Sequence, residues 1–206
     1  NKQKKFKEFF SSKTIYEFIK IKKNNKLIMK VIDTKFKGLK IVQQIKHGDN
    51  RGNLRETFRR KIIKWDELIF DYATTSKKNV LRGFHFQSKY KQAKFVNVLK
   101  GKILDCVIDL RKNSKTFGKT FSVILSDSNC KSLYIPEGFA HAYYSYSKLN
   151  IIYYKLSNYY YPKYEDGIIW NDKSIKIKWP SKKMKVSIKD KKLRSLVSFK
   201  KKFKGL

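Results

Sequence analysis

Acidic residues are the first shortage in this chain: sixteen Asp and Glu stand against fifty Lys and Arg, a formal net charge of +34 over 206 residues. So large an imbalance raises nucleic acid as a partner. A second shortage argues against it. Arginine, the better bidentate reader of phosphate and guanine, is scarce, and the charge is mostly lysine spread from end to end. Lysine, asparagine, isoleucine, tyrosine and phenylalanine are rich together, as an AT-rich coding sequence would produce. A solvated lysine surface therefore explains the charge with no nucleic-acid partner, although an acidic small molecule would still benefit from the field. Two cysteines, Cys106 and Cys130, are too few for a disulfide framework. That favours a reducing, cytoplasmic setting and makes Cys106, inside an apolar run, a core residue. No apolar run reaches the ~18–20 residues of a membrane span. The stretch before Met29 lacks both an uninterrupted apolar core and a small-residue cleavage site, so neither a membrane nor a secretory signal is expected.

Three segments differ in character. Residues 1–28 carry lysine runs around Phe9, Phe10, Ile15, Phe18 and Ile19, and Met29-Lys30-Val31-Ile32-Asp33 reads like a protein start. The first segment is expected to be either a basic N-terminal extension that is not native, from an upstream start or a gene-calling artefact, or a genuine basic helical arm. Residues 29–193 hold short runs rich in Val, Ile, Phe and Tyr, separated by turn signals. Phe95 to Leu99 and Ile103 to Leu110, joined at Lys100-Gly101, read as a hairpin. Phe121 to Leu125, Ser132 to Ile135 and Ile151 to Leu156 are further strands, and Lys61 to Phe70 suggests a short helix. Residues 194–206 form a lysine-rich C-terminal tail, expected to be a surface helix or a loose end with little core. Many closely spaced short strands predict an all-β barrel or double-sheet jelly roll.

Alternation sorts the faces. Asp105, Val107 and Asp109 share one side of their strand, opposite Cys106 and Ile108. That aspartate face is either solvated or lines a polar pocket. Tyr154 shares its face with Ile152 and Leu156, so it is expected to be buried, with its hydroxyl in need of a partner.

The residues that carry chemistry gather around Arg82-Gly83-Phe84-His85-Phe86-Gln87. His85 is a candidate base, Asp190 a carboxylate to orient it, Tyr154 an acid and Lys94 a cation for a developing negative charge. Such a set suits removal of a proton next to a carbonyl and its return from the other face. A metal site is poorly supported, because the position two after His85 is Gln87 where a second histidine would be needed. No glycine-flanked serine elbow supports nucleophilic catalysis.

In GDNRGNLRETF (48–58), SKKNVLRGFHFQ (76–87), QAK (92–94), GKILDCVIDLRKNSKTFG (101–118), LYIPEGFAH (133–141), YKLSNYY (154–160), GIIWNDKSIKIKWP (167–180) and SIKD (187–190), the chain resembles the dTDP-4-dehydrorhamnose 3,5-epimerase family. The resemblance runs in order from about Met29 to Leu193. It implies a cupin-type double-stranded β-helix with a few short peripheral helices, a homodimer, and no metal or other cofactor. It also implies a nucleotide-sugar substrate, dTDP-4-dehydro-6-deoxy-D-glucose, inverted at C3 and C5 on the route to activated rhamnose for cell-surface polysaccharide. By position, His85 is the base, Asp190 its partner and Tyr154 the acid, with Arg82 and Lys94 at the C4 oxygen. His141 would meet the sugar or a phosphate. Arg51, Glu56, Glu165 and Lys189 match nucleotide or diphosphate positions, and Tyr160 or Tyr159 would stack on the base. Two stretches depart from the family. Phe70-Asp71-Tyr72 stands where a Gln-Asp-Asn tripeptide is usual, and Asn53-Leu54-Arg55 where aromatics are preferred. Alternatives are an epimerase acting at one carbon or on another 4-keto sugar nucleotide and, from a different class, a non-catalytic basic binding module.

Overall fold

The computed structural model describes residues 29–206, so both readings of 1–28 fall outside the described residues. The β-branched and aromatic runs form two facing antiparallel sheets. One sheet has six strands, in the order β1 (Lys30–Asp33), β2 (Lys40–Gln43), β10 (Lys131–Ile135), β7 (Lys94–Lys100), β12 (Leu149–Leu156) and β5 (Phe70–Lys77). The other has five: β13 (Glu165–Gly167), β6 (Leu81–Gln87), β11 (Phe139–Ser145), β8 (Lys102–Asp109) and β9 (Thr120–Ser126). A separate hairpin pairs β3 (Lys46–Asp49) with β4 (Gly52–Arg55), and two short helices follow, α1 (Ile188–Lys191) and α2 (Leu196–Phe203). This is the all-β jelly roll with peripheral helices that the sequence predicts.

From β5 to β13 the chain changes sheet at every connection except β8 to β9. That habit corrects the hairpin expected at Lys100-Gly101. β7 pairs with β10 and β12, while β8 pairs with β11 and β9, so Gly101 is a corner between sheets. Neighbouring side chains satisfy the corner amides: Gly101 N–H donates to Asp127 (3.0 Å) and Lys102 N–H to Asn150 (3.1 Å). Only glycine fits there, because φ is +87° and a Cβ would lie 2.4 Å from the Leu149 carbonyl oxygen.

Both faces of the central strands are buried. Inside the roll, Val96, Val98, Ile103, Val107, Phe139, Tyr143, Ile152 and Leu156 form one core. On the outer face of the five-stranded sheet, Phe84, Phe86, Cys106, Ile108 and Leu110 pack under Leu196 and Phe199 of α2. The C-terminal segment therefore contributes core where little was expected; Phe199 is fully buried, with its ring 5.4 Å from that of Phe86. Burying such a ring is worth ~1.5–3 kcal/mol. Both cysteines are free and buried.

The helix suggested for Lys61 to Phe70 does not form. A single turn, with the Ile62 and Ile63 N–H groups on the Arg59 carbonyl, gives way to irregular chain, and β5 already begins at Phe70. Ile63 and Trp65 are drawn onto the outer face of the six-stranded sheet, against Phe95 and Tyr134, and that burial outweighs local helical propensity.

Candidate active site

Alternation within each strand places the site inside one end of the roll. Val96 and Val98 point inward on β7, so Lys94 does too. Ile152 and Leu156 bring Tyr154 inward on β12, and Ile103 and Val107 bring Asp105 inward on β8. On β11, His141 lies between the inward residues Phe139 and Tyr143. The aspartate face of β8 is thus buried rather than solvated: Asp105 turns to His141, and Asp109 is held by Arg111, Ser114 and Thr116.

β6 needs a further device. His141 pairs with His85 but Tyr143 pairs with Arg82, so β6 has one more residue than its partner across this interval. The bulge turns both Arg82 and His85 toward the interior, although three-residue spacing in a regular strand would oppose them. Gly83 makes it possible: φ is +105°, and a Cβ there would come within 2.4 Å of the His141 carbonyl oxygen. Its N–H donates to Asp190 Oδ2 (3.1 Å), and His85 Nε2–H donates to Asp190 Oδ1 (2.8 Å). The Ser187 hydroxyl caps α1 by accepting from Asp190 N–H, which fixes the buried carboxylate. Burial alone would raise Asp190, but the His85 hydrogen bond and charge and the Gly83 N–H hold it below the ordinary carboxylate value.

With Nε2 committed to Asp190, Nδ1 is the nitrogen left to accept a proton. It lies 3.8 Å from Glu165 Oε1. Burial would raise Glu165, yet hydrogen bonds from Lys189 and Tyr160 (2.6 Å) and the charge of His85 hold it low. The Tyr160 phenol is pushed up to about 12, chiefly by its bond to Glu165. A second imidazole–carboxylate pair stands on the same sheet, where His141 Nε2–H donates to Asp105 Oδ2 (2.9 Å).

Across the interior, burial pushes the Tyr154 phenol well above its ordinary value; Tyr143, Tyr72 and Asp105 act the same way and a hydrogen bond from Thr74 opposes them. Burial also lowers Lys94 to about 8, against the opposing charges of Glu165 and Asp105. Arg82 Nε–H donates to the Ser76 hydroxyl (3.2 Å), which also contacts the Tyr143 hydroxyl (2.8 Å).

Eight of the residues singled out from sequence therefore fall on the elements lining this end, His85, Asp190, Tyr154, Lys94, Arg82, His141, Glu165 and Lys189, and Tyr160 joins them from the loop after β12 through its bond to Glu165; of the candidates, Arg51 and Glu56 do not. Those two are joined to it by no hydrogen bond or ion pair among the described residues. Arg51 pairs with Asp49 at the exposed β3–β4 turn, and Glu56 pairs with Arg59 just after β4. Sequence reasoning passed over Tyr143, Thr74, Ser76 and Tyr72 as site residues. Tyr143 was accessible by alternation, being two residues after His141; the β5 residues needed the β5–β12 pairing.

A cleft of about 460 Å³ opens onto Arg82, His85, Lys189 and Asp190. A larger one, about 820 Å³, lies among Lys35, Lys37, Lys91, Arg111 and Lys115. Size does not decide between them: only the first is lined by His85 and its Asp190 partner. Among the described residues no three of His, Cys, Asp and Glu are grouped as metal ligands would be. No described helix is long and apolar enough to cross a membrane.

Residues 33–198 match the family model described as dTDP-4-dehydrorhamnose 3,5-epimerase. The enzyme of that name from Methanothermobacter thermautotrophicus is 41% identical over 153 residues, 72% of this chain and 83% of its own. The Escherichia coli K12 enzyme is 39% identical over 158 residues, 74% of this chain and 85% of its own. Among solved structures, the 3,5-epimerase of Legionella pneumophila in complex with dTDP-4-keto-L-rhamnose superposes with a TM-score of 0.79 at 36% identity, covering 82% of this chain and 94% of that one.

Proposed function

Because the chain belongs to the dTDP-4-dehydrorhamnose 3,5-epimerase family, an isomerase family of dTDP-rhamnose synthesis, we propose that His85 and Tyr154 exchange protons with opposite faces of a 4-keto deoxysugar. The substrate is dTDP-4-dehydro-6-deoxy-D-glucose and the product dTDP-4-dehydro-L-rhamnose.

One observation carries this reading. The imidazole of His85, hydrogen-bonded to Asp190, belongs to the five-stranded sheet, and the protonated phenol of Tyr154 to the sheet facing it. His85 Nδ1 takes the proton from carbon next to the ketone, and the C–H electron pair moves onto the carbonyl oxygen. Lys94 and Arg82 stabilise that enolate oxygen. Tyr154 then gives its proton to the opposite face of the carbon, which inverts it. The tyrosinate regains a proton from solvent and His85 loses one, so nothing is consumed. Asp190 keeps Nε2 protonated and favours the imidazolium while it exists. The same cycle serves C3 and C5, since both flank the C4 ketone.

Lys189, Glu165, Tyr160 and His141 hold the nucleotide, diphosphate and sugar in this reading. Arg51 and Glu56 join them from the hairpin region. A cytoplasmic homodimer belongs to the same proposal, supported by the family resemblance and by the free cysteines. Light scattering reads the dimer directly.

The test is incubation with dTDP-4-dehydro-6-deoxyglucose in deuterated water, followed by mass spectrometry and proton NMR. Deuterium at both C3 and C5 is expected. Incorporation at one carbon makes the chain a mono-epimerase, and none with this substrate moves the search to other 4-keto sugar nucleotides.

A further inference from the structure

We propose that Tyr72 is a positioning residue for Tyr154: its ring covers the solvent side of the Tyr154 ring and holds that phenol in line to deliver a proton, so that inversion depends on Tyr72 more than proton exchange does. The inference rests on the reading above, in which Tyr154 is the acid.

Tyr72 and Tyr154 are direct register partners across β5 and β12, with ring centroids 4.9 Å apart and planes inclined by 28°. The His141 ring meets Tyr154 edge-on at 6.0 Å. Tyr154 is thus held between two rings, one stacked and one edge-on. The two tyrosines differ sharply in exposure: Tyr154 is 3% exposed and Tyr72 37%. Tyr72 is therefore the more open of the two stacked rings and lies on the solvent side of the pair. Phe70 supports it at 5.8 Å and is itself 5.8 Å from Tyr159, so a continuous aromatic wall runs outward from Tyr154.

The groups facing the Tyr154 phenol are Tyr143, Tyr72 and Asp105, together with the Thr74 hydroxyl. Tyr72 brings no charge of its own, because burial and the nearby Tyr143, Glu165 and Tyr160 push its phenol up to about 12. Its contribution is the ring rather than the hydroxyl, which makes phenylalanine the conservative replacement.

Once His85 has removed a proton, the enolate has two fates. Return from the His85 face gives exchanged starting material, and delivery from Tyr154 gives inverted product. In deuterated water the two are counted separately, by deuterium in recovered substrate and by product formed. Y72A is expected to lower the ratio of product to exchange about fivefold, the size of one lost aromatic pair, while exchange itself is largely kept. Y72F is expected to restore the native ratio. Y72L keeps an apolar side chain on β5 and carries the same expectation if Y72A does not fold. A loss of exchange and product in equal proportion in both Y72A and Y72L overturns the inference, since general damage to the fold has that signature. A ratio that falls as far in Y72F as in Y72A overturns it too, by assigning the effect to the hydroxyl. Absence of both exchange and product with the native chain removes the epimerase reading first, and the inference with it.

Discussion

His85–Asp190 and His141–Asp105 are two versions of one couple on one sheet, with nitrogen–oxygen distances of 2.8 and 2.9 Å. Their surroundings differ. The His85 side chain is 27% exposed and the His141 side chain 5%, beside an Asp105 with no exposure at all. Both oxygens of Asp190 are used, one by His85 and one by Gly83 N–H, whereas Asp105 Oδ1 is buried without a partner among the described residues. The distance that defines a histidine–carboxylate pair therefore says little about its work. A pair whose imidazole is partly open and lines a cleft can trade protons with a ligand. In a more deeply buried pair the carboxylate chiefly fixes the orientation of the ring, which can still be presented to a sugar, and the charge around it.

The largest break in that comparison comes from His85. H85A should lower turnover by about 10²–10⁴-fold, the usual contribution of a positioned base, with an unchanged thermal melt. Retention of more than about a tenth of native turnover would place the base elsewhere.

Next come the two carboxylates, which separate activity from stability. D105A leaves a buried imidazole without its partner and should lower unfolding free energy by about 3 kcal/mol in denaturant titration. D190A removes a carboxylate from a one-turn helix beside the open cleft, so its main loss should be in turnover. Equal stability losses in the two variants would show that burial does not distinguish the pairs.

How much of this was legible beforehand depends on what each feature requires. The strands, the jelly roll and the inward face of Tyr154 follow from alternation, because a two-residue period survives whatever the partners are. The corner at Gly101 does not. A glycine after a lysine marks a turn, but only the pairing of β7 with β10 and β12 shows that the next strand belongs to the other sheet. Arg82 and His85 share a face only through the bulge at Gly83, and a glycine inside a strand pattern is the one local hint of it. The segment near Lys61 was misread because its apolar residues pack on a sheet built from distant chain. Tyr72 was seen as a departure from the family pattern, but its place beside Tyr154 needed the β5–β12 register.

Lys94 ties the two pairs together and gives the finest test. Its charge feels Glu165, which faces His85, and Asp105, which holds His141. With burial bringing it down to about 8, Lys94 loses its proton within an accessible range, while Tyr154, pushed well above its ordinary value, stays protonated. Since kcat/KM reports groups of the free enzyme, it should fall as pH rises through about 8, when the cation at the enolate disappears. Stability should move the other way. Between about 8 and the ordinary value of 10.5 the unfolded chain binds the lysine proton and the folded chain does not, so unfolding free energy rises with pH across that window. General alkaline damage lowers both quantities, so opposite slopes identify the lysine. K94M should remove both trends. D105N, which deletes one of the two charges holding Lys94 up, should shift the activity limb to lower pH; a limb that stays in place would mean that Lys94 does not set it.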